Sequence, residues 1–569
     1  MNRFAALLDR LVLTPQRNVK LRLITDYLRQ TPDPDRGYAL AALTGDLSIA
    51  SVKPAMLRAL ITDRMDPVLF GYSYDYVGDL AETIALAWPE RHGSAHSRAS
   101  GNPATSTAER VAPGSPLSRG GAADGGPSPA LASIVGELQL ASRLDGPRLM
   151  AEWLDQLDPT GRWGLIKLVT GGLRVGVSAR LAKTAAAELG GKSVSEIEEV
   201  WHGLSPPYRP LFAWLIENGP RPVSRVKAPF RPVMLSHAIA DNELPAISPE
   251  EYAAEWKWDG IRVQAVAEAG TRRLYSRTGE DISGSFPDII DGLDFEGSID
   301  GELLVGRETS GAIAARTFAD LQQRLNRKIV SARLQQSHPA FIRAYDCLVD
   351  GTEDIRSLPF RERRLRLETL VAASRSGRID LSPLVRFHNV GELAEFRVAP
   401  PEAVVEGIML KRRASVYEAG RPKGPWFKWK RDPHIVDAVL MYAQRGHGKR
   451  SSYYSDYTFG VWRDSADGDE LVPVGKAYFG FTDEELMEID RFVRNNTVAR
   501  FGPVREVIHE PDAGLVFEVA FEGLNRSTRH KSGVAMRFPR ISRLRWDKPP
   551  AEADRLETLQ ALIPRGTRR

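Results

Sequence analysis

The chemistry-bearing residues of this sequence gather around Lys257. It stands in Glu255-Trp256-Lys257-Trp258-Asp259-Gly260-Ile261-Arg262, a stretch containing K-x-D-G-x-R. Four fixed residues at that spacing arise by chance on the order of once in a few hundred chains of this length, given average residue usage. The motif alone therefore leaves open a plain strand-turn with a surface lysine. A lysine amine is nucleophilic only when neutral, and a free lysine, with a pKa near ~10.4, is only about a thousandth deprotonated near neutral pH. Nearby cations, a bound divalent metal and desolvation against Trp256 and Trp258 would each favour the free amine. Lys428 and Lys430 alternate with aromatic residues in Trp426-Phe427-Lys428-Trp429-Lys430. That strand-like spacing points both ammonium groups to one face and makes a cradle for phosphate. Glu302, in Asp300-Gly301-Glu302-Leu303, and Glu406, in Glu406-Gly407-Ile408-Met409-Leu410-Lys411, offer oxygen ligands of the kind a hard cation such as Mg2+ takes. From Lys411 to Arg431 there are eight basic residues against one acid, Glu418, which concentrates an anion site.

Taken in order with Ser276-Arg277-Thr278-Gly279-Glu280 and Tyr345-Asp346, these segments resemble the covalent nucleotidyltransferase superfamily, and specifically the ATP-dependent DNA ligases. The resemblance covers nearly the whole chain outside residues 92 to 131. It implies that Lys257 takes AMP from ATP and passes it to the 5′-phosphate of a nick, which is then sealed, with Mg2+ or Mn2+ as cofactor and nicked duplex DNA as partner. It further implies that Glu255 accepts from the adenine amino group, Tyr345 stacks on the base and Arg262 touches the ribose. Arg277 would contact a phosphate, as would Arg421 on a looser match, while Lys428 and Lys430 hold the α-phosphate. Glu302 is either a metal carboxylate or the group that holds the ribose hydroxyls, and a buried strand aromatic is the competing reading of Tyr345.

The segment from Arg537 to Lys548 resembles the closing R-x-D-K signature of ligase barrels, so Asp547 and Lys548 would orient pyrophosphate; a solvated basic tail is the plain alternative. Gly172 to Ser178, followed by ARLAKTAAAEL, resembles the DNA-binding domain of the larger ligases, with Arg174, Gly176 and Lys183 at DNA phosphates. Locally a glycine-flanked helix cap on Ser178 explains it equally well. An RNA ligase or capping guanylyltransferase shares the lysine chemistry, but the helical N-terminal region and Glu255 favour DNA and adenine. A catalytically inactive DNA-binding relative would have lost the lysine or the carboxylates, and both are present. A dinucleotide-using ligase would bring cysteine zinc ligands, which one cysteine, Cys347, cannot supply.

Positioning these residues takes several elements, and 569 residues are too many for one ordinary core. Before about residue 225 the pattern is helical. Phe4, Leu7, Leu8 and Leu11 fall at i, i+3, i+4 and i+7, the stripe of a core-facing helix. Residues 92 to 131, rich in Gly, Ser, Pro and Ala, cannot bury enough surface to offset ordering entropy and are expected to be a disordered insert. After Pro229, β-branched and aromatic runs predict sheets, and from about His434 several short strands plus one helix, opening with a Thr482 to Glu485 capping box, predict a small barrel. The expected fold class is thus multi-domain. An all-α N-terminal DNA-binding domain (1–225) precedes an α/β nucleotidyltransferase domain, ATP-grasp-like (226–432), and a C-terminal β-barrel of the oligonucleotide-binding type, the OB-fold (433–569).

Hydrophobic residues at 42% and charged residues at 26% are ordinary for a soluble globular protein, and no apolar run approaches the ~20 residues of a membrane span. The net charge of +4 permits nucleic-acid binding without demanding it. The single cysteine excludes an intramolecular disulfide and agrees with a reducing, cytoplasmic setting. A monomer without membrane association is expected, in the mould of accessory bacterial ligases that serve repair.

Overall fold

The computed structural model describes residues 1–77, 79–89, 129–223, 226–309, 312–325, 327, 330–445, 453–465, 468–527 and 530–563. The expected disordered insert, 92 to 131, lies outside them apart from its last three residues. Those three belong to packed structure: the Met1 amino group donates to the Pro129 carbonyl, and Leu131 opens the helix Leu131–Leu140 with its side chain buried. The chain divides into two compact units, one of residues 1–194, 205–221 and 445–452, the other of residues 195–204, 222–444 and 453–569.

In the first unit every described element from Asn2 to Ile216 is a helix. The helix Asn2–Leu13 buries Phe4, Leu7, Leu8 and Leu11, the stripe its spacing predicts. The loop before the helix Ala179–Leu189 and the start of that helix hold the three residues expected at DNA. Arg174 (φ 45°) and Gly176 (φ 65°) are both exposed and in the left-handed region, and Lys183 lies one turn into the helix. Lys20, itself buried, reaches under this loop and donates to the carbonyls of Val175 (2.7 Å) and Gly176 (2.9 Å). A Cβ at Gly176 would run into that ammonium group, so the loop needs glycine there on both counts. Ser178 caps the helix by accepting from the Leu181 N–H.

The second unit holds the strands. The first twelve are β1 (His237–Ala238), β2 (Tyr252–Trp258), β3 (Ile261–Glu268), β4 (Thr271–Ser276), β5 (Gly297–Thr309), β6 (Ala312–Ala315), β7 (Ala340–Asp350), β8 (Glu353–Asp354), β9 (Ile379–Leu381), β10 (Leu384–Val385), β11 (Val405–Arg412) and β12 (Trp426–Lys430). One sheet runs β1-β12-β11-β2-β10; the other runs β4-β3-β5-β7-β8, with β6 beside β5 and β9 beside β7. Consecutive strands β2 and β3 belong to different sheets, so the Asp259-Gly260 turn carries the chain from one to the other. Strand β7 is buried along nearly its whole length, with its charged Arg343 and Asp346 each paired to an opposite charge. The helix Phe360–Ala373 packs against it. Arg363 on that helix and Asp346 on β7, both fully buried, pair through two hydrogen bonds of 2.8 and 2.9 Å. Removing one partner would strand a buried charge at about 3–5 kcal/mol, which fixes the helix on the sheet.

From residue 434 onward come β13 (His434–Arg445), β14 (Tyr454–Ser465), β15 (Gly468–Ala477), β16 (Thr497–Phe501), β17 (Val504–Val507), β18 (Val516–Phe521), β19 (Gly523–Arg526), β20 (Val534–Arg537) and β21 (Arg540–Arg545). Strand β13 pairs with β18 through His434 to Val439 and with β17 through Tyr442 to Gln444. With β14 as a further neighbour, β13 serves three partners, and the sheet curls around a core that includes Tyr457, Phe459, Phe517 and Ile489. Ile489 comes from the helix Asp483–Asn495, whose Thr482–Glu485 capping box forms as its sequence predicts. A second short helix, Leu556–Ala561, is an addition to the single helix expected here; Leu556 and Leu559 close the same core.

Candidate active site

Two-residue alternation along β2 presents Glu255 and Lys257 on one face. Antiparallel β11 sets Met409 opposite Glu255 and Gly407 opposite Lys257, and β12 sets Lys428 opposite Met409 and Lys430 opposite Gly407. In the other sheet β3 sets Arg262 opposite Glu302 of β5. Residues of both sheets line a cleft of about 470 Å3, within the range of small-molecule sites. Lys257, Glu255, Arg262, Arg277, Glu302, Tyr345, Glu406, Arg421, Lys428 and Lys430 all line it. These are the residues singled out in the sequence for catalysis, nucleotide and metal.

The glycine of K-x-D-G-x-R has a steric reason. A Cβ at Gly260 would lie 2.6 Å from the Leu303 carbonyl oxygen and 2.8 Å from the Glu302 side chain. The turn must therefore hug β5, which holds Lys257 and Glu302 at a common cleft. Trp256 and Trp258 line the cleft too, but their rings are committed to packing: Trp256 against Phe396 and Trp258 beneath the Arg343 guanidinium at 4.1 Å.

Charge in the cleft is unevenly satisfied. The Lys257 ammonium donates to Glu406, whose other oxygen takes Lys430 at 3.1 Å. Burial would raise the Glu406 pKa, but the two lysines more than offset it and hold the carboxyl below its ordinary value. Lys428, Arg421 and Arg277 form no ion pair among the described residues. Burial first, then the charges of Arg421, Lys257, Lys430 and Arg277, push the Lys428 ammonium below the ordinary lysine value. So many uncompensated cations in one place await an anion. Glu302 is the reverse case, a carboxylate without hydrogen bond or ion pair among the described residues. Burial, with the Glu406 charge adding to it, pushes its pKa up to about 7, against the opposing pull of Lys257 and Arg262.

Residues 233–430 match the family model described as ATP dependent DNA ligase domain, and residues 450–548 match the ATP dependent DNA ligase C terminal region. A probable DNA ligase of Koribacter versatilis is 34% identical over 423 residues, spanning 70% of this chain and 71% of the relative. The chain belongs to the ATP-dependent DNA ligases. DNA ligase 1 of Korarchaeum cryptofilum is similar end to end, 28% identical over 100% of this chain and 99% of its own. Among solved structures, the one described as Pmar-Lig_PreS3 matches with a TM-score of 0.56 at 14% identity, over 95% of this chain and 99% of that one, a likeness of fold.

Against this ligase background, the C-terminal signature sits elsewhere than expected. Asp547 pairs with Arg545 (2.9 Å) and Lys548 with Asp437 (2.8 Å), and neither lines the cleft. Asp437 and Arg545 lie on β13 and β21, so the tail is bound to its own sheet. What the strand-rich region sends to the cleft instead is Glu522, Arg537 and Phe538. Glu522 pairs with Lys430 at 3.0 Å, and the Arg537 guanidinium grips both carboxylate oxygens of Asp259 in the lysine motif. No sequence signal links Asp259 to a residue 278 positions away.

Sequence reasoning also passed over the residues that hold the nucleotide-site side chains in place. Arg262 donates to the Met234 carbonyl, to Asp300 (2.5 Å) and to the Tyr417 hydroxyl (3.0 Å), while its Nε is buried without a partner. Glu255 is buried between Lys411 (2.8 Å) and Arg364 (3.3 Å). Burial pushes the Lys411 ammonium below the ordinary lysine value, with Glu255 opposing. The available hint was Lys411 itself, a lysine closing an apolar strand run.

No described helix is long and apolar enough to cross a membrane. Likewise, no group of three metal-ligating His, Cys, Asp or Glu occurs among the described residues.

Proposed function

We propose that this chain seals nicks in duplex DNA in three steps. The Lys257 amine attacks the α-phosphorus of ATP, and a phosphorus–nitrogen bond forms as the bond to pyrophosphate breaks. The AMP then passes to the 5′-phosphate of the nick, freeing the lysine. Finally the 3′-hydroxyl displaces AMP and joins the strands. The observation that carries this reading is Lys257 at a cleft where Lys428, Arg421 and Arg277 lack anionic partners among the described residues. Those cations suit a triphosphate and the charge that develops on it. Glu406, hydrogen-bonded to Lys257, holds the amine at the cleft. Glu255, Tyr345 and Arg262, which line the same cleft, would face the base and ribose.

A divalent cation, Mg2+ or Mn2+, fits the donor set. Glu302 is an oxygen donor without a partner among the described residues, and the Glu406 charge acts on it, so these two would hold the ion. Bound there, it would neutralise phosphate charge. Asp547 and Lys548 would orient pyrophosphate only after the strand-rich domain, read as an OB-fold spanning 433–569, swings over the adenylation domain of 226–432. Residues 1–225, with Arg174, Gly176 and Lys183, would bind DNA phosphates without reading sequence. A monomer acting in repair in the cytoplasm completes the proposal. The test is incubation of the purified protein with ATP labelled at the α-phosphate and Mg2+, followed by a nicked duplex. Covalent label that chases into sealed DNA is expected; absence of label with active nucleotide would end the proposal.

A further inference from the structure

We propose that Lys411 and Arg364 are positioning residues for nucleotide choice: they hold Glu255 as a fixed, acceptor-only carboxylate that selects bases carrying a 6-amino group. This rests on the adenylation reading above and adds the device that sets its nucleotide preference.

Glu255 is 1% exposed, and a carboxylate taken so far out of water keeps its charge only with partners. Two cations reach it from separate elements. Lys411 on β11 meets Oε2 at 2.8 Å, and Arg364 on the helix Phe360–Ala373 meets Oε1 at 3.3 Å. Both cations are themselves anchored. The Lys411 ammonium donates to the Tyr345 carbonyl (3.2 Å) and lies 4.3, 4.7 and 5.0 Å from the ring centres of Tyr345, Trp426 and Phe360. The aromatic faces offset part of what burial costs the ammonium. Arg364 also donates to the Ser382 carbonyl and pairs with Glu368, both at 2.8 Å. Asp346, the remaining nearby acid, is taken up by Arg363.

Each carboxylate oxygen has two lone pairs, so one cation on each leaves acceptor capacity toward the cleft and no proton to donate. Adenine presents an amino donor at position 6. Hypoxanthine and guanine present a carbonyl there, which meets an ionised carboxylate as acceptor against acceptor. Sites whose polar groups match a substrate N–H reject analogues lacking it far more strongly than shape alone does. A carboxylate released from one of its two cations is free to turn away from position 6, and a 6-carbonyl then no longer meets acceptor against acceptor.

The experiment measures initial rates of covalent labelling of the full chain with ATP and with ITP. The wild type should prefer ATP by roughly a hundredfold or more. Glu255→Gln, whose amide both donates and accepts, should bring the ratio to within about tenfold of unity. Lys411→Met should do the same, with ITP labelling rising in absolute terms, a change that mere loosening of the site does not produce. Arg364→Gln provides the same readout should Lys411→Met fail to fold. If Glu255→Gln compresses the ratio while Lys411→Met and Arg364→Gln lower both rates and leave the ratio intact, the positioning role is refuted. If Glu255→Gln leaves the ratio intact, the fault lies with Glu255 as base reader and the inference falls with it. Absence of ATP labelling in the wild type would instead refute the adenylation reading itself.

Discussion

Replacing Lys257 separates chemistry from structure because its surroundings compensate for the loss. Its side chain is 21% exposed and that of its partner Glu406 24%, so the pair is partly solvated. Such pairs contribute about 0–1 kcal/mol. Glu406 also keeps Lys430 at 3.1 Å when Lys257 is removed, so no bare carboxylate is left behind. At roughly 2–4 °C per kcal/mol, Lys257→Ala should shift the melting temperature by no more than about 4 °C. Self-adenylation should fall by at least about 10^4-fold, the scale on which losing a nucleophile acts. Lys257→Arg sharpens the test, because a guanidinium keeps the charge beside Glu406 but stays protonated at any working pH. It should melt like the wild type and take no label. Both variants should still seal a nick that already carries 5′-AMP, since that substrate bypasses the lysine adduct. Peptide mapping of the labelled wild type should find AMP on Lys257 and not on the neighbouring Lys428 or Lys430. Label on Lys257→Arg, or a melting temperature lowered by more than about 10 °C in Lys257→Ala, would show that the lysine is a structural element.

Gly260→Ala forces a methyl group against the Leu303 carbonyl and the Glu302 side chain, so it should cost about 1–3 kcal/mol in denaturant unfolding and slow self-adenylation. A wild-type melting curve would refute the steric account of the turn. Glu302 has a folded pKa of about 7, above the ordinary carboxyl value of 4.5, so folding favours its protonated form. Its contribution to stability is therefore fully present below pH 4.5 and is lost as pH rises through 7. In metal-free buffer, Glu302→Gln should remove that part of the decline between pH 5 and 8, and superimposable profiles for the two proteins would contradict it. Replacing Asp547 and Lys548 together by Ala should cripple self-adenylation while leaving sealing of a 5′-adenylated nick largely intact. Equal loss of both activities would assign the tail to the fold or to DNA.

The strand-rich region is tied to the lysine motif by Arg537–Asp259 and to β12 by Glu522–Lys430, both made by side chains that also line the cleft. Any swing that brings Asp547 and Lys548 over the nucleotide must first break these two contacts, Arg537–Asp259 and Glu522–Lys430, whereas Arg545–Asp547 and Lys548–Asp437 travel with their own sheet. The two that break are short, partly solvated pairs, weak enough individually to exchange on a functional timescale.

The sequence by itself determined whatever depends on neighbours along the chain. The apolar stripe of Phe4, Leu7, Leu8 and Leu11, the Thr482–Glu485 capping box and the strand alternation that puts Lys428 and Lys430 on one face follow from helix and strand periods, and the structure contains all three. The proposed nucleophile, Lys257, was legible for the same reason, since K-x-D-G-x-R is a contiguous turn whose glycine answers to a steric limit at β5. Tertiary structure decided which charges meet. Glu255 is flanked by Lys411 from β11 and Arg364 from a helix 109 residues on, and Asp259 is held by Arg537, partners that strand pairing and helix packing select and no spacing encodes. It also set Asp547 and Lys548 against Arg545 and Asp437 rather than at the cleft, because an ion pair forms wherever the fold brings opposite charges within a few ångströms.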